Sequence, residues 1–325
     1  MRAPVLLALL GAALACSRPA PPLPPVRLFA GPGLPGAVVR EGAARAGLAA
    51  VTLVDSPAQA ELVWVADPVQ ALALGERLVP GSAAAPAGVD HRWLDPQARF
   101  APGPARARVL VVAPRAALPF QPVNARDLAD PRLAGRVVLA HPARGDGPVT
   151  LAALALRYGD RSADRFLQLL AANRPQVVET DAEARAAVAR GRAALGWTSS
   201  LEGAAGAASA AGLEVVYPDQ AGAGAVVLPT AVALLSGAGP DASLLAGWLT
   251  SPAAEQLLVA RAPGLLPLRP EVPVPVGVEP AGNLRWLRLD WDRLAETTRR
   301  LQPDLERWPD AFTQGPGLSG ARPRP

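Results

Sequence analysis

Short apolar runs alternate with stretches of helical period along most of the chain. The run 26–30 (Val-Arg-Leu-Phe-Ala) predicts a strand closed by the turn signal Gly31-Pro32-Gly33, and 36–46 predicts the helix that follows. Runs at 51–54 and 61–66 predict two more strands, the second ending at Asp67-Pro68. Strands separated by helical segments predict an α/β fold, a mixed or parallel sheet flanked by helices. The stretch 81–104 is rich in Pro, Gly and Ala and reads as loop, with a strand resuming at 109–113.

The pattern then repeats in kind, without any internal sequence repeat. A strand at 136–140 feeds a glycine-rich loop at 145–147 and a helix at 149–158. Ser162 reads as the cap of the next helix, with Phe166, Leu167, Leu169 and Leu170 on its buried side. After a strand at 177–178, a helix starting at Asp181 places Ala184, Ala187 and Val188 on one face and stops at Gly191. Strand ends are expected at 195–197 and 214–217, and an apolar return at 226–235. A helix at 244–249 precedes one capped by Ser251 and opened by Pro252, and 286–308 includes a charged amphipathic helix.

Composition narrows the classes. Charged residues are 18% and hydrophobic residues 50% of 325, which excludes a solvated disordered chain. The pI of 10.3 invites a nucleic-acid reading. However, all 32 basic residues are arginine, they are scattered, and the net charge is only +4, so no nucleic-acid partner is expected. With a single cysteine, Cys16, no intramolecular disulfide forms.

The N-terminus reads as targeting sequence. Residues 4–14 are an apolar run too short to span a bilayer but of signal-peptide length. It ends in Ala13-Leu14-Ala15-Cys16, which resembles a lipobox; Leu14 stands two before the cysteine rather than three. Residues 1–16 are thus expected to be a lipoprotein signal with lipidation at Cys16, the alternative being a cleaved signal with an incidental cysteine. Residues 17–25, with five prolines, read as a stiff tether, and 313–325 as a frayed tail.

Candidate chemistry gathers at loops that follow strands. Arg144-Gly145-Asp146-Gly147-Pro148-Val149-Thr150 has the layout of an anion loop: free backbone N–H groups, a positive helix end, and Arg144 as charge partner. Asp146 would either cap the helix or compete with an anionic ligand, and the whole loop also reads as a capped connection without ligand. Trp197-Thr198-Ser199 follows a strand end, where Trp197 would wall a ligand or pack in the core. Gly31 lies in the first strand's exit loop. Asp67 binds ligand or caps the next helix. His141, beside the glycine-rich loop, is the better ligand candidate of the two histidines, His91 being expected at the surface. The chain carries no thiol beyond Cys16, no defensible Ser-His-Asp spacing and no His/Cys cluster, so no catalytic residue, metal or cofactor is expected.

The order of several short motifs resembles one family. They are Asp130-Pro131-Arg132-Leu133-Ala134-Gly135, His141-Pro142-Ala143-Arg144-Gly145-Asp146-Gly147, Ala186-Ala187-Val188-Ala189-Arg190-Gly191, Ala194-Leu195-Gly196-Trp197, Val215-Val216-Tyr217-Pro218 and 249–258. Together they resemble the ferric-iron-binding, type II extracellular solute-binding proteins that serve ABC importers. The match is good over 110–310 and weak over 26–70. The resemblance implies two α/β lobes, 26–112 plus 229–312 and 113–228, joined by hinge crossovers near 111–114 and 226–230 and closing over a small molecule or ion. It also implies a monomer in the periplasm or cell envelope, lipid-anchored and paired with a permease in the inner membrane. In that family the loop matching 144–150 binds an anion, and the neighbourhood of Trp197 supplies tyrosines to ferric iron. Here the only tyrosines are Tyr158 and Tyr217, elsewhere in the pattern, and the 31–33 loop has no histidine. Ferric iron bound directly by phenolates is therefore not expected, and the ligand is an anion or an iron-related compound. A sensing module of the same fold, or a member that no longer binds ligand, stays open.

Overall fold

In the computed structural model, which describes residues 24–48, 50–275 and 278–308, the predicted alternation becomes a continuous nine-stranded sheet. The expected lipidation site Cys16 and the tail 313–325 lie outside the described residues. One half of the sheet begins with β1 (Val26–Ala30), followed by α1 (Gly36–Arg45), β2 (Val51–Leu53), β3 (Leu62–Val65) and α2 (Pro68–Leu72). β1 pairs in parallel with both β2 and β3.

The next strand, β4 (Ala101–Val112), is longer than the sequence predicts and is buried along its whole length. The prolines at 102 and 104 argued for loop, but the register shifts between Gly103 and Ala105, so Pro104 sits at a bulge where no ladder N–H is needed. Gly103 is required beside it, because a Cβ there would lie 2.6 Å from Thr230 Oγ1.

The other half is built from β5 (Val137–Ala140), α3 (Gly147–Tyr158), α4 (Asp160–Ala172), β6 (Gln176–Val178), α5 (Asp181–Ala189), β7 (Leu195–Ser199), α6 (Ser200–Ala207) and β8 (Glu214–Val216). Here β5 pairs in parallel with β6 and β7. Ser162 does not cap α4, since Gly159 (φ +87°) ends α3 and α4 starts immediately at Asp160. α6 is an element the sequence reading missed. The chain returns through β9 (Val227–Leu234), α7 (Pro240–Leu249), α8 (Pro252–Arg261, capped by Ser251 as expected) and α9 (Trp291–Glu306).

Alternate side chains of β3 and β9 enter opposite layers. Leu62, Trp64, Val232 and Leu234 join the cluster under α1, α7 and α8, whereas Val63, Val65, Ala231 and Ala233 join the larger cluster that contains residues of α2 and α9. β4 is the seam between the halves. Residues 101–107 pair with β9, and Arg108–Val112 pair with β7, so the partner changes at Ala107/Arg108, ahead of the expected boundary at 112/113.

Candidate functional site

The change of partner along β4 falls between two arginines. Arg106 and Arg108 are two residues apart on an extended strand and therefore project from the same face. Each meets a carboxylate from the second half. Arg106 Nη2 donates to Asp146 Oδ1 at 2.7 Å, with both side chains 9% exposed. The same Nη2 donates to the Ala66 carbonyl at 3.3 Å, at the exit of β3 in the first half. Arg108 Nη1 donates to Asp181 Oδ2 at 2.6 Å, and its guanidinium lies 5.2 Å from the centre of the Trp197 ring.

Asp67 completes the group. It caps α2, its carboxylate accepting from the Gln70 backbone N–H at 3.0 Å and from Gln70 Nε2 at 2.9 Å. Burial pushes its pKa up to about 6, and the negative charge of Asp146 adds to that while Arg106 opposes it. Burial likewise raises the Asp181 carboxyl, with Arg108 opposing. Three carboxyls and two guanidiniums thus lie close together where β4 changes partner.

Several polar atoms there have no hydrogen-bond partner: Arg106 Nε, Arg108 Nε, Asp181 Oδ1, Trp197 Nε1 and Thr150 Oγ1. Buried polar groups are normally satisfied, so these atoms make the neighbourhood of Arg106 and Arg108 the candidate site.

The glycine-rich loop is arranged differently from the sequence expectation. Its backbone donors are turned inward: Arg144 N–H to the His141 carbonyl at 2.8 Å, Gly147 N–H to the Arg144 carbonyl at 2.9 Å and Thr150 N–H to the Asp146 carbonyl at 3.0 Å. Pro148 has no N–H to offer. Gly147 is needed for packing, since a Cβ there would overlap the Pro142 carbonyl. Arg144 is 54% exposed and reaches only Glu179, at 3.8 Å, while Gly145 (φ +52°) is an exposed turn residue. Asp146 makes no side-chain cap; its carboxylate turns to Arg106 instead. The anion partner expected at Arg144 is thus on the surface, and the buried guanidiniums come from β4.

The remaining expected residues divide. Gly31 is buried against β3, its N–H donating to the Trp64 carbonyl at 2.8 Å. Thr198 donates to the Asp181 carbonyl at 3.1 Å, and Ser199 caps α6 while lying opposite Arg108 in the ladder. Trp197 both packs edge-on against Phe166, ring centres 6.0 Å apart, and carries Arg108. His141 is not in the cleft group: the Ala143 N–H donates to Nδ1 at 3.2 Å and Nε2 faces the Trp308 carbonyl at 3.0 Å, tying the end of α9 to the loop. Sequence reasoning missed Arg106 and Arg108. Their signal was a pair of charges at strand spacing running straight into Val109-Leu110-Val111-Val112.

Phenolate chemistry has no place here. Tyr158 is exposed on α3, and burial pushes the Tyr217 hydroxyl up to about 12. Among the described residues no group of three or more His, Cys, Asp or Glu side chains could hold a metal ion. A surface groove of about 590 Å³ runs beside Trp93 and Trp286. Those rings stack on each other at 3.7 Å and Arg92 covers Trp286, so their faces are already occupied.

Residues 78–297 match a family described as bacterial extracellular solute-binding protein. No curated protein matches the sequence. Among solved structures, the Trichodesmium IdiA/FutA protein in complex with iron and citrate is similar at 19% identity and a TM-score of 0.74, over 89% of this chain and 99% of that one. Iron-bound HitA of Pseudomonas aeruginosa is similar at 18% identity and a TM-score of 0.71, over 86% and 98%. AfuA of Actinobacillus pleuropneumoniae, with fructose-6-phosphate bound, is similar at 15% identity and a TM-score of 0.74, over 90% and 99%. At these identities the likeness is one of fold, the two-lobed type II periplasmic-binding arrangement.

Proposed function

The chain belongs to the bacterial extracellular solute-binding proteins, and from that premise we propose that it captures a small anionic solute, or an iron-related complex carrying one, between its lobes and delivers it to an ABC permease. The lobes are 26–112 plus 229–312 and 113–228, with β4 and β9 as the hinge strands. The observation that carries the reading is the pair Arg106 and Arg108. Both are buried on one face of the hinge strand, and each has an Nε without a partner. A guanidinium offers a planar fork of donors that suits carboxylate and phosphate oxygens.

A direct ferric site is not proposed, because the tyrosines lie elsewhere. Ferric iron would come as a complex with an anionic chelator, consistent with the iron and citrate held by the Trichodesmium neighbour. The family's work is binding rather than turnover, and no catalytic role is proposed. We propose Gly31, Asp67, Asp146, Thr150, Trp197, Thr198 and Ser199 as further ligand contacts around the arginines, with Arg144, Gly145, Gly147 and His141 shaping the loop beside them. We place the protein in the periplasm or cell envelope, held by a lipid on Cys16.

The test is a thermal-shift panel on the body from Val26 onward, with phosphate, citrate, ferric citrate, fructose 6-phosphate and ferric ion alone. A ligand at 100 times its dissociation constant raises stability by about 2.7 kcal/mol. Arg106→Gln and Arg108→Gln each lower affinity for the stabilising anion about 10–100-fold, the loss of one charge-assisted bond, while Arg144→Ala changes it less than threefold. A shift with ferric ion alone, or a large loss in Arg144→Ala, overturns the reading. No shift with any of them favours a member that has lost ligand binding.

A further inference from the structure

The cleft already contains an anion of its own. Asp146 sits on Arg106 in the position a solute carboxylate or phosphate would take under the reading just given, on which this inference rests. Both side chains are buried, and the pair bridges the hinge strand and the entrance of α3. Asp146 is free for this because it does not cap its own helix. The Nη2 that holds it also holds the Ala66 carbonyl, so one guanidinium touches both halves of the protein and its own strand between them.

We propose that Asp146 is an internal competitor for the anion seat, and that it restricts the protein to solutes carrying two or more negative charges on clustered oxygens. Binding at Arg106 is an exchange of anions. A monocarboxylate arriving at Arg106 replaces one carboxylate by another and strands Asp146 beside Asp67, whose charge already opposes it. The exchange yields nothing. A phosphate monoester or a polycarboxylate does more, because Arg106 and Arg108 stand two residues apart, about 6.6 Å along an extended strand. One such group reaches both guanidiniums and meets the Nε donors that have no partner within the protein. Asp181 occupies Arg108 through one oxygen, Oδ2, at 2.6 Å. One of its oxygens has no partner at all, so it stays as an acceptor for a hydroxyl or ammonium elsewhere on the solute.

The experiment is calorimetry with phosphate, citrate and acetate as probes, on the wild-type protein and on Asp146→Asn, Asp146→Ser and Asp67→Asn. Wild type should bind phosphate or citrate at least tenfold tighter than acetate. Asp146→Asn and Asp146→Ser should bind phosphate and citrate at least tenfold tighter than wild type and gain acetate binding. Asp67→Asn relieves only the repulsion that a displaced Asp146 meets and frees no donor of Arg106, so its gain should be at least threefold smaller than that of Asp146→Asn. An equal gain in Asp67→Asn would reduce the effect to general charge and overturn the competitor role. So would unchanged or weaker binding in both Asp146 variants. If neither folds, wild-type acetate binding as tight as phosphate binding overturns the proposal by itself. In all these cases the wild type binds an anion and the function stands; if wild type and variants bind none of the three, the anion reading fails together with the inference.

Discussion

At the residue scale, the cleft is a place where charge is buried at a cost to the fold. Asp67 makes this measurable. Its folded pKa of about 6 lies above its ordinary 3.8, so between those values the folded chain holds a proton that the unfolded chain releases. Stability from this group therefore falls as pH rises from about 4 to 6 and stays lower above that. Asn at this position keeps the cap on α2 and removes the charge. Asp67→Asn should raise unfolding free energy at pH 7.5 by about 1–3 kcal/mol and leave it unchanged near pH 4, as read by denaturant titration at both pH values. A gain equal at both pH values would locate the effect in packing instead.

Residue by residue, the sequence carried part of this site. Asp67 and Asp146 were legible because each lies in the connection from a strand to the next helix, where α/β folds place their loops, and Trp197 because it stands in the apolar run of a strand, β7. Arg106 and Arg108 were not, because two prolines and a glycine just before them spoke for loop. Arg144 had the right chemistry in the right neighbourhood, yet a single turn at Gly145 decides whether a side chain faces cleft or water. Nothing in the local sequence fixes that.

At the element scale, most strands and helices were readable from period and punctuation, and the failures share a cause. β4 extends to Ala101 because β9 pairs with it and a bulge absorbs Pro104; α4 starts early because Gly159 makes a sharp junction. The first is an outcome of a tertiary partner, the second of a glycine taking a conformation that the helical pattern around it does not announce. α9 illustrates a helix whose packing matters more than its propensity. It packs on α3 in the second half and on α2 in the first, with Arg300 bonded to Asp160 and Arg99 to Asp292. Trp291, buried at its start, meets Phe100 edge-on at 6.4 Å. Trp291→Ala should destabilise the protein by about 3–5 kcal/mol, seen as a lower denaturation midpoint. A loss under 1 kcal/mol would mean that α9 contributes little to holding the halves.

At the scale of the whole molecule, the two halves are joined by β4 and β9, strapped by α9, and bridged across the cleft by Arg106. In a fold of this kind a solute shifts an open–closed equilibrium by binding one state better. The order of motifs made the two-lobed fold legible before the structure; the ligand was not, because fold alone does not select it. Where the molecule is held is a separate question. Cys16→Ser should move the protein from the membrane fraction to the soluble fraction. Retention in the membrane would rule out the lipid anchor.

The solute seat proposed here is the pair of buried arginines on the hinge strand, Arg106 and Arg108. The most direct test is a crystal structure with the anion that gives the largest thermal shift. The anion should lie between Arg106 and Arg108, with the Asp146 carboxylate displaced from Arg106. An anion seated against Arg144 or in the groove beside Trp286, with the Arg106–Asp146 pair intact, would contradict it.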